Sequence, residues 1–136
     1  MKLLIDTNIL LSALLEQNDY KSSVELLRKI ENHNIPCYLS EFGIYSICLL
    51  LHKRKNEYLF KKLIEYIENK KNFRILNFEL LELAEMFRSN VYLDLDDKIH
   101  YHLAKQKNLQ LISFDTDFDK TDLKRLTPAQ ALDEFF

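Results

Sequence analysis

A single glycine, Gly43, serves all 136 residues. Tight hairpin turns lean on glycine, so a sandwich or barrel made of many of them is a poor fit. A Gly-rich phosphate loop is impossible, which excludes P-loop and GxGxxG nucleotide binding. Only two prolines, Pro36 and Pro128, interrupt the chain, so it has no linker-like or collagen-like stretch. Hydrophobic residues at 47% and charged residues at 29% belong to an ordinary globular protein, not a disordered one. The length predicts one domain over 1–136, able to bury roughly 68% of its unfolded surface without disulfide or metal staples.

Short apolar runs alternate with segments of helical period. Leu3-Leu4-Ile5, Cys37-Tyr38-Leu39, Phe73 to Leu76 and Leu109 to Ser113 read as buried strands, and Leu123 to Leu126 as a fifth. Helices are expected from Ile9, over Tyr20 to Ile30 with Val24, Leu27 and Ile30 inward, and over Phe42 to Lys53. Further helices follow over Glu57 to Glu68, over Phe78 to Phe87 with Leu80, Leu83, Ala84 and Phe87 inward, and over Asp94 to Gln106. Ser22 and Glu25 have the spacing of a capping box, and Thr127-Pro128 that of an N-cap before a last helix. The alternation predicts an α/β fold, a four- to five-stranded parallel sheet flanked by helices on both faces.

In such a sheet, ligands bind beyond the carboxyl ends of the strands. Asp6 follows the first strand, and Asp115 and Asp117 follow the fourth. Asp94, Asp96 and Asp97 crowd the start of the helix before it. If the first and fourth strands are neighbours, these acids meet at one edge. Carboxylates packed together repel unless cations neutralise them. Hard divalent ions with oxygen ligands, Mg²⁺ or Mn²⁺, suit that role and suit phosphodiester hydrolysis. Each acid also has a local alternative: Asp6, Asp94 or Asp96 as helix caps, and Asp115 and Asp117 as turn residues. His100 and His102 are two apart on a helix and share no face, so a zinc pair is not expected there.

These residues carry a resemblance. Leu4-Ile5-Asp6-Thr7-Asn8-Ile9-Leu10 resembles the opening of PIN domains, a family of small Mg²⁺/Mn²⁺-dependent ribonucleases. Asp97 to Ala104 is similar to the family's third-acid helix, and Leu111 to Phe118 to its strand ending in Thr/Ser-x-Asp-x-Asp-Phe. The resemblance implies catalysis by Asp6, Asp97 and Asp115, with Asp117 and Glu41 as further candidate metal ligands. It implies orienting roles for Asn8 and Ser113. Small PIN proteins of this kind resemble VapC toxins, which implies an RNA substrate, an antitoxin partner and a homodimer. One element departs from the pattern. The family's helix Glu, six residues past a Ser, corresponds here to Ser46. Glu41 lies five residues earlier, a 500° rotation that turns its side chain ~140° away. The alternative reading is therefore a PIN-like binding module without catalysis. Asp115-x-Asp117 also resembles the nucleophile motif of haloacid-dehalogenase-like phosphatases, but those carry it after their first strand.

The net charge of −2 is unevenly spread. Lys53 to Arg74 holds eight Lys/Arg and three Glu, and Glu79 to Asp97 holds six acids and one Arg. Lys61, Lys62, Lys70 and Lys71 are the candidate RNA-binding residues of the basic stretch, and Tyr45, Tyr92 and Tyr101 the candidates for base stacking. The apolar helix from Phe42 predicts an interface in the span Phe42 to Glu68, covered by a second copy or an antitoxin segment. The N-terminus lacks a basic region before its apolar run, and no run approaches the ~20 residues needed to span a bilayer. A cytoplasmic chain without membrane contact is the expectation.

Overall fold

Four short strands, β1 (Leu3–Ile5), β2 (Cys37–Ser40), β3 (Phe73–Leu76) and β4 (Gln110–Ile112), pair in the order β3-β2-β1-β4. All pairs are parallel. The computed structural model describes residues 1–136. Every residue of β1 is buried, which explains its unbroken apolar run: a central parallel strand is covered on both faces.

Alternate strand residues feed two cores of unequal size. Leu3, Ile5, Cys37, Leu39 and Ile112 join a core of 18 buried residues. It is completed by α1 (Thr7–Leu15), α2 (Tyr20–Asn32), α3 (Glu41–Lys53), α4 (Glu57–Glu68) and α7 (Pro128–Phe135). Leu4 and Leu111 enter a core of nine, under α5 (Leu80–Arg88) and α6 (Leu95–Lys107). Phe118, in the short 3₁₀ turn Thr116–Lys120 that follows β4, is part of that second core. No helix is long and apolar enough to cross a membrane.

Several local expectations change. The segment Leu123 to Leu126 makes only one bridge, Leu126 to Ile112, and is not a strand. Its main chain bonds around Ile112 through Leu126 N and Leu126 O, and Pro128 has no N–H to continue the ladder. The start of α2 is capped by Asp19, which accepts from Ser22 N, while Glu25 pairs with Arg28 instead of forming a box. That phase buries Leu26 and leaves Val24 exposed. A capping box between Glu79 and Glu82 starts α5 at Leu80. Leu83 and Met86 then face the sheet, and Leu80 and Phe87 face out. Helix α3 is two-faced: Ile44, Ile47 and Leu51 are buried, whereas Tyr45 and Leu49 are exposed. At the last helix the expectation is met, with Thr127 accepting from Gln130 N and Pro128 in the first turn.

The lone glycine is needed for space. Gly43 has no positive φ, so backbone freedom is not its role. A Cβ there would lie 2.6 Å from Thr7 Oγ1, so α3 crosses α1 too closely for any side chain. Gly43→Ala is expected to cost about 1–3 kcal/mol, the usual range for overpacking. Urea unfolding checks it, and Thr7→Ala in the same chain should recover most of the loss.

Candidate metal centre

The order β2-β1-β4 places the ends of β1 and β4 side by side. Asp6 leaves β1 with its N–H bonded to Ile112 O at 3.0 Å, and it is only 2% exposed. It sits at the N-cap of α1 but caps nothing with its side chain. Its Oδ2 instead accepts from Ser113 Oγ at 2.6 Å. Ser113 Oγ also accepts from Asp115 N at 2.9 Å and from Asn8 Nδ2 at 3.4 Å. Asn8 Oδ1 accepts from Phe114 N at 3.4 Å, which ties the two strand ends together. Asn8 and Ser113 are thus hydrogen-bonded to each other, and Ser113 to Asp6 and to the main chain of Asp115.

Helix α6 brings the remaining groups across from the other layer. Asp97 lies in its first turn, 8% exposed, and Asp94 stands at the N-cap position without capping. Two sets of donors form, each with ligand atoms within 4.8 Å of one another. One holds Asp97, Asp115 and Asp117, and the other holds Asp6, Asp96 and His100. Burial, then a hydrogen bond and charge from Asp115, then the charges of Asp6 and Asp96 push Asp97 up to about 8. Asp96 is also raised, first by burial, with His100 opposing and Asp6 and Asp115 reinforcing. Asp6 thus acts electrostatically on both sets. Asp115 Oδ1 caps the 3₁₀ turn through Asp117 N at 2.9 Å, so its turn role and its place in the cluster coexist. Lys120 reaches Asp117 Oδ1 at 3.2 Å from the rim.

A family model for the PIN domain matches residues 3–124. The chain belongs to the PIN-domain family. PIN domains are generally nucleases, and they typically use divalent metals. No match is found among curated proteins. Solved structures share the fold. A toxin–antitoxin complex from Klebsiella pneumoniae has 23% identity and a TM-score of 0.67, covering 93% of this chain and 98% of that one. VapBC2 from Rickettsia felis, bound to a promoter DNA fragment, has 19% identity and a TM-score of 0.68, covering 93% and 97%. VapC20 from Mycobacterium tuberculosis, a toxin that cleaves the sarcin–ricin loop, has 11% identity and a TM-score of 0.71, covering 92% and 98%.

The residues present fit a divalent ion at this PIN edge. Asp96 Oδ1, His100 Nε2 and Thr7 Oγ1 are buried without any hydrogen-bond partner. Such groups are normally satisfied, and here they lie among crowded carboxylates that need positive charge. The sequence places Asp96 in the acid cluster but not among its metal ligands, and it assigns His100 no role. The four-residue spacing between them, which puts both on one helix face, is the signal that would have found them.

Other candidate residues fall elsewhere. Glu41 joins neither donor set: α3 starts there in regular form, and its Oε1 accepts from Tyr45 OH at 2.5 Å. Ser46 Oγ donates to Phe42 O at 3.1 Å and is spent on its own helix. Tyr101 is buried and donates to Asp122 at 2.5 Å, which removes it from base stacking. Tyr92 is 97% exposed beside a groove of about 410 Å³ that Asp94, Lys98, Asp117 and Lys120 also line. Lys70 and Lys71 precede β3, so they lie at the amino edge of the sheet, away from the acids. Lys70 pairs there with Glu31, and Lys62 sits over the Tyr58 ring, 4.8 Å from its centroid.

Proposed function

We propose that this chain is a divalent-metal-dependent endoribonuclease and the toxin of a toxin–antitoxin pair. The observation that carries this reading is that acids from β1, α6 and the turn after β4 form two donor sets at one sheet edge, with the charge of Asp6 reaching Asp97 of the other set. Asp6, Asp97 and Asp115 hold a Mg²⁺ or Mn²⁺ ion, with Asp117 at the open side. The ion supplies Lewis acidity toward phosphate and lowers the pKa of a bound water. Ser113 fixes the free rotation of the Asp6 carboxylate, and Asn8 in turn holds Ser113. No side chain need act as nucleophile.

The substrate strand lies along the groove beside Tyr92, whose ring offers a stacking face, with Lys98 and Lys120 toward the phosphates. Tyr92→Ala is expected to weaken RNA binding by roughly 5- to 100-fold, the worth of one stacked base, with no change in melting temperature. Filter binding to a single-stranded RNA reads it. The basic stretch adds steering: reversing Lys61, Lys62, Lys70 and Lys71 to Glu lowers affinity and flattens its salt dependence. Unchanged affinity in that variant makes the stretch a solvated face only.

The toxin assignment draws on the named complexes of similar fold. An apolar groove of about 330 Å³ lined by Leu10, Leu14, Val24, Leu27 and Leu63 takes the apolar segment of the antitoxin. A homodimer covers exposed Tyr45, Leu49 and Tyr58 of α3 and α4, which sedimentation at micromolar concentration tests. Ser46, with its hydroxyl turned to its own helix, favours a second reading: a PIN module that binds RNA or protein without cutting. A metal-dependent RNase assay with an Asp97→Asn control separates the two. Cleavage lost in that variant supports the nuclease, and no cleavage by the unaltered chain supports the module.

A further inference from the structure

We propose that His100 is a nitrogen ligand of the metal centre, compensating for the helix acid that Ser46 replaces, and that it biases the site toward Mn²⁺ over Mg²⁺. The proposal rests on the metal-centre reading above and adds a donor that the acid motifs do not contain.

The imidazole is completely buried. Its Nδ1 lies 2.9 Å from Asp96 O, one helical turn back. A carbonyl can only accept, so Nδ1 carries the proton and Nε2 presents a lone pair. A backbone carbonyl holding the far nitrogen is also the arrangement that orients a metal-binding histidine. Nε2 points toward Asp6, 3.9 Å from Oδ1, too far for a hydrogen bond. It has no other partner, and neither does Thr7 Oγ1 nearby. His102 Nε2 is buried without a partner too, but it belongs to no set of candidate metal donors, whereas His100 shares one with Asp6 and Asp96.

The space before Nε2 is kept open by the chain's one glycine. A Cβ on Gly43 would stand 3.8 Å from Nε2 and collide with Thr7 Oγ1. Gly43 and Ser46 are three apart and share a face of α3. The α3 face that lacks an acid is thus the face that His100 approaches from α6. Asp6 Oδ1 faces Nε2, Asp96 Oδ1 stands 3.5 Å from Nδ1, and one donor atom from each of the three residues lies within 4.8 Å of the others. Mg²⁺ prefers an all-oxygen shell, whereas first-row transition ions accept imidazole readily. A mixed nitrogen and oxygen donor set therefore discriminates against Mg²⁺.

Pulsed electron paramagnetic resonance of the full chain loaded with Mn²⁺ tests this directly. The expected result is hyperfine coupling to a directly bound imidazole nitrogen in the unaltered protein, lost in His100→Gln. Competition titrations should show Mn²⁺ preferred over Mg²⁺ by at least tenfold, with that ratio falling at least fivefold in His100→Gln. The spectrum of the unaltered chain decides the matter even if the variant does not fold. Mn²⁺ bound in an Asp6-dependent manner without nitrogen coupling overturns the role of His100 and leaves the metal centre standing. No Mn²⁺ binding, or binding that survives Asp6→Asn, overturns the metal centre and this proposal with it.

Discussion

Asp6→Asn should lower metal-dependent RNA cleavage by more than ~100-fold while leaving the fold intact. Even groups that only support a ligand are worth 10- to 100-fold, so a ligand itself should exceed that. Asp6, like Asp115, is an acid whose charge reaches both Asp96 and Asp97, and it is the more deeply buried of the two. The amide keeps an oxygen to accept from Ser113 Oγ, so the strand ends stay tied. Without metal the variant should melt at or above the temperature of the unaltered chain, because one repelling charge is gone. Initial rates on a labelled RNA, beside thermal melts, read both effects. Retained activity in Asp6→Asn would place the chemistry elsewhere.

The second large effect joins pH and metal. Asp97 is raised from 3.8 to about 8, burial being the first cause. The folded chain therefore holds this proton more tightly than the unfolded chain does. The resulting stability is fully present below pH 3.8 and is lost as pH rises through about 8. Metal-free protein should thus melt progressively lower between pH 5 and pH 9. A divalent ion reverses the trend by neutralising the carboxylates. At a hundredfold excess over Kd, mass action contributes about 2.7 kcal/mol, which is roughly 10 °C for a domain of this size. Melts at pH 5, 7 and 9 with and without millimolar Mn²⁺ should diverge with rising pH. Parallel curves would mean that Asp97 does not carry the metal response.

The strand-and-helix order was readable because buried parallel strands leave unbroken apolar runs. Leu3-Leu4-Ile5 and Leu111-Ile112 are both buried in full. The acids were readable because each follows a strand or opens a helix, so the chain direction alone puts them at one edge. What escaped was rotational phase. Leu80 and Phe87 fit a helical stripe on paper, but the box between Glu79 and Glu82 sets where the turn begins and sends them outward. His100 escaped for a related reason. Its spacing from Asp96 marks a shared face of α6, but the neighbours that face meets come from α1 and α3, which no spacing within α6 reports. Spacing left Glu41 a candidate, since an adapted backbone could turn it inward, but α3 is regular from Glu41 onward and Glu41 joins neither donor set.

The two layers of this molecule are not equally anchored. The layer of α5 and α6 rests on nine buried residues, against 18 on the opposite side. Leu80, Leu81 and Phe87 of α5 add nothing to that grip, since all three face outward. Opening of this thinner layer should therefore require less free energy than global unfolding. Native-state amide exchange should show α5 and α6 as a separate early unit, with β1 and α3 protected to the end. Such an excursion would carry Asp97 and His100 away from Asp6 while the sheet stays whole. The acidic edge would then blink out of existence on a folded scaffold, and a ligand bridging the layers would lengthen the time it is assembled.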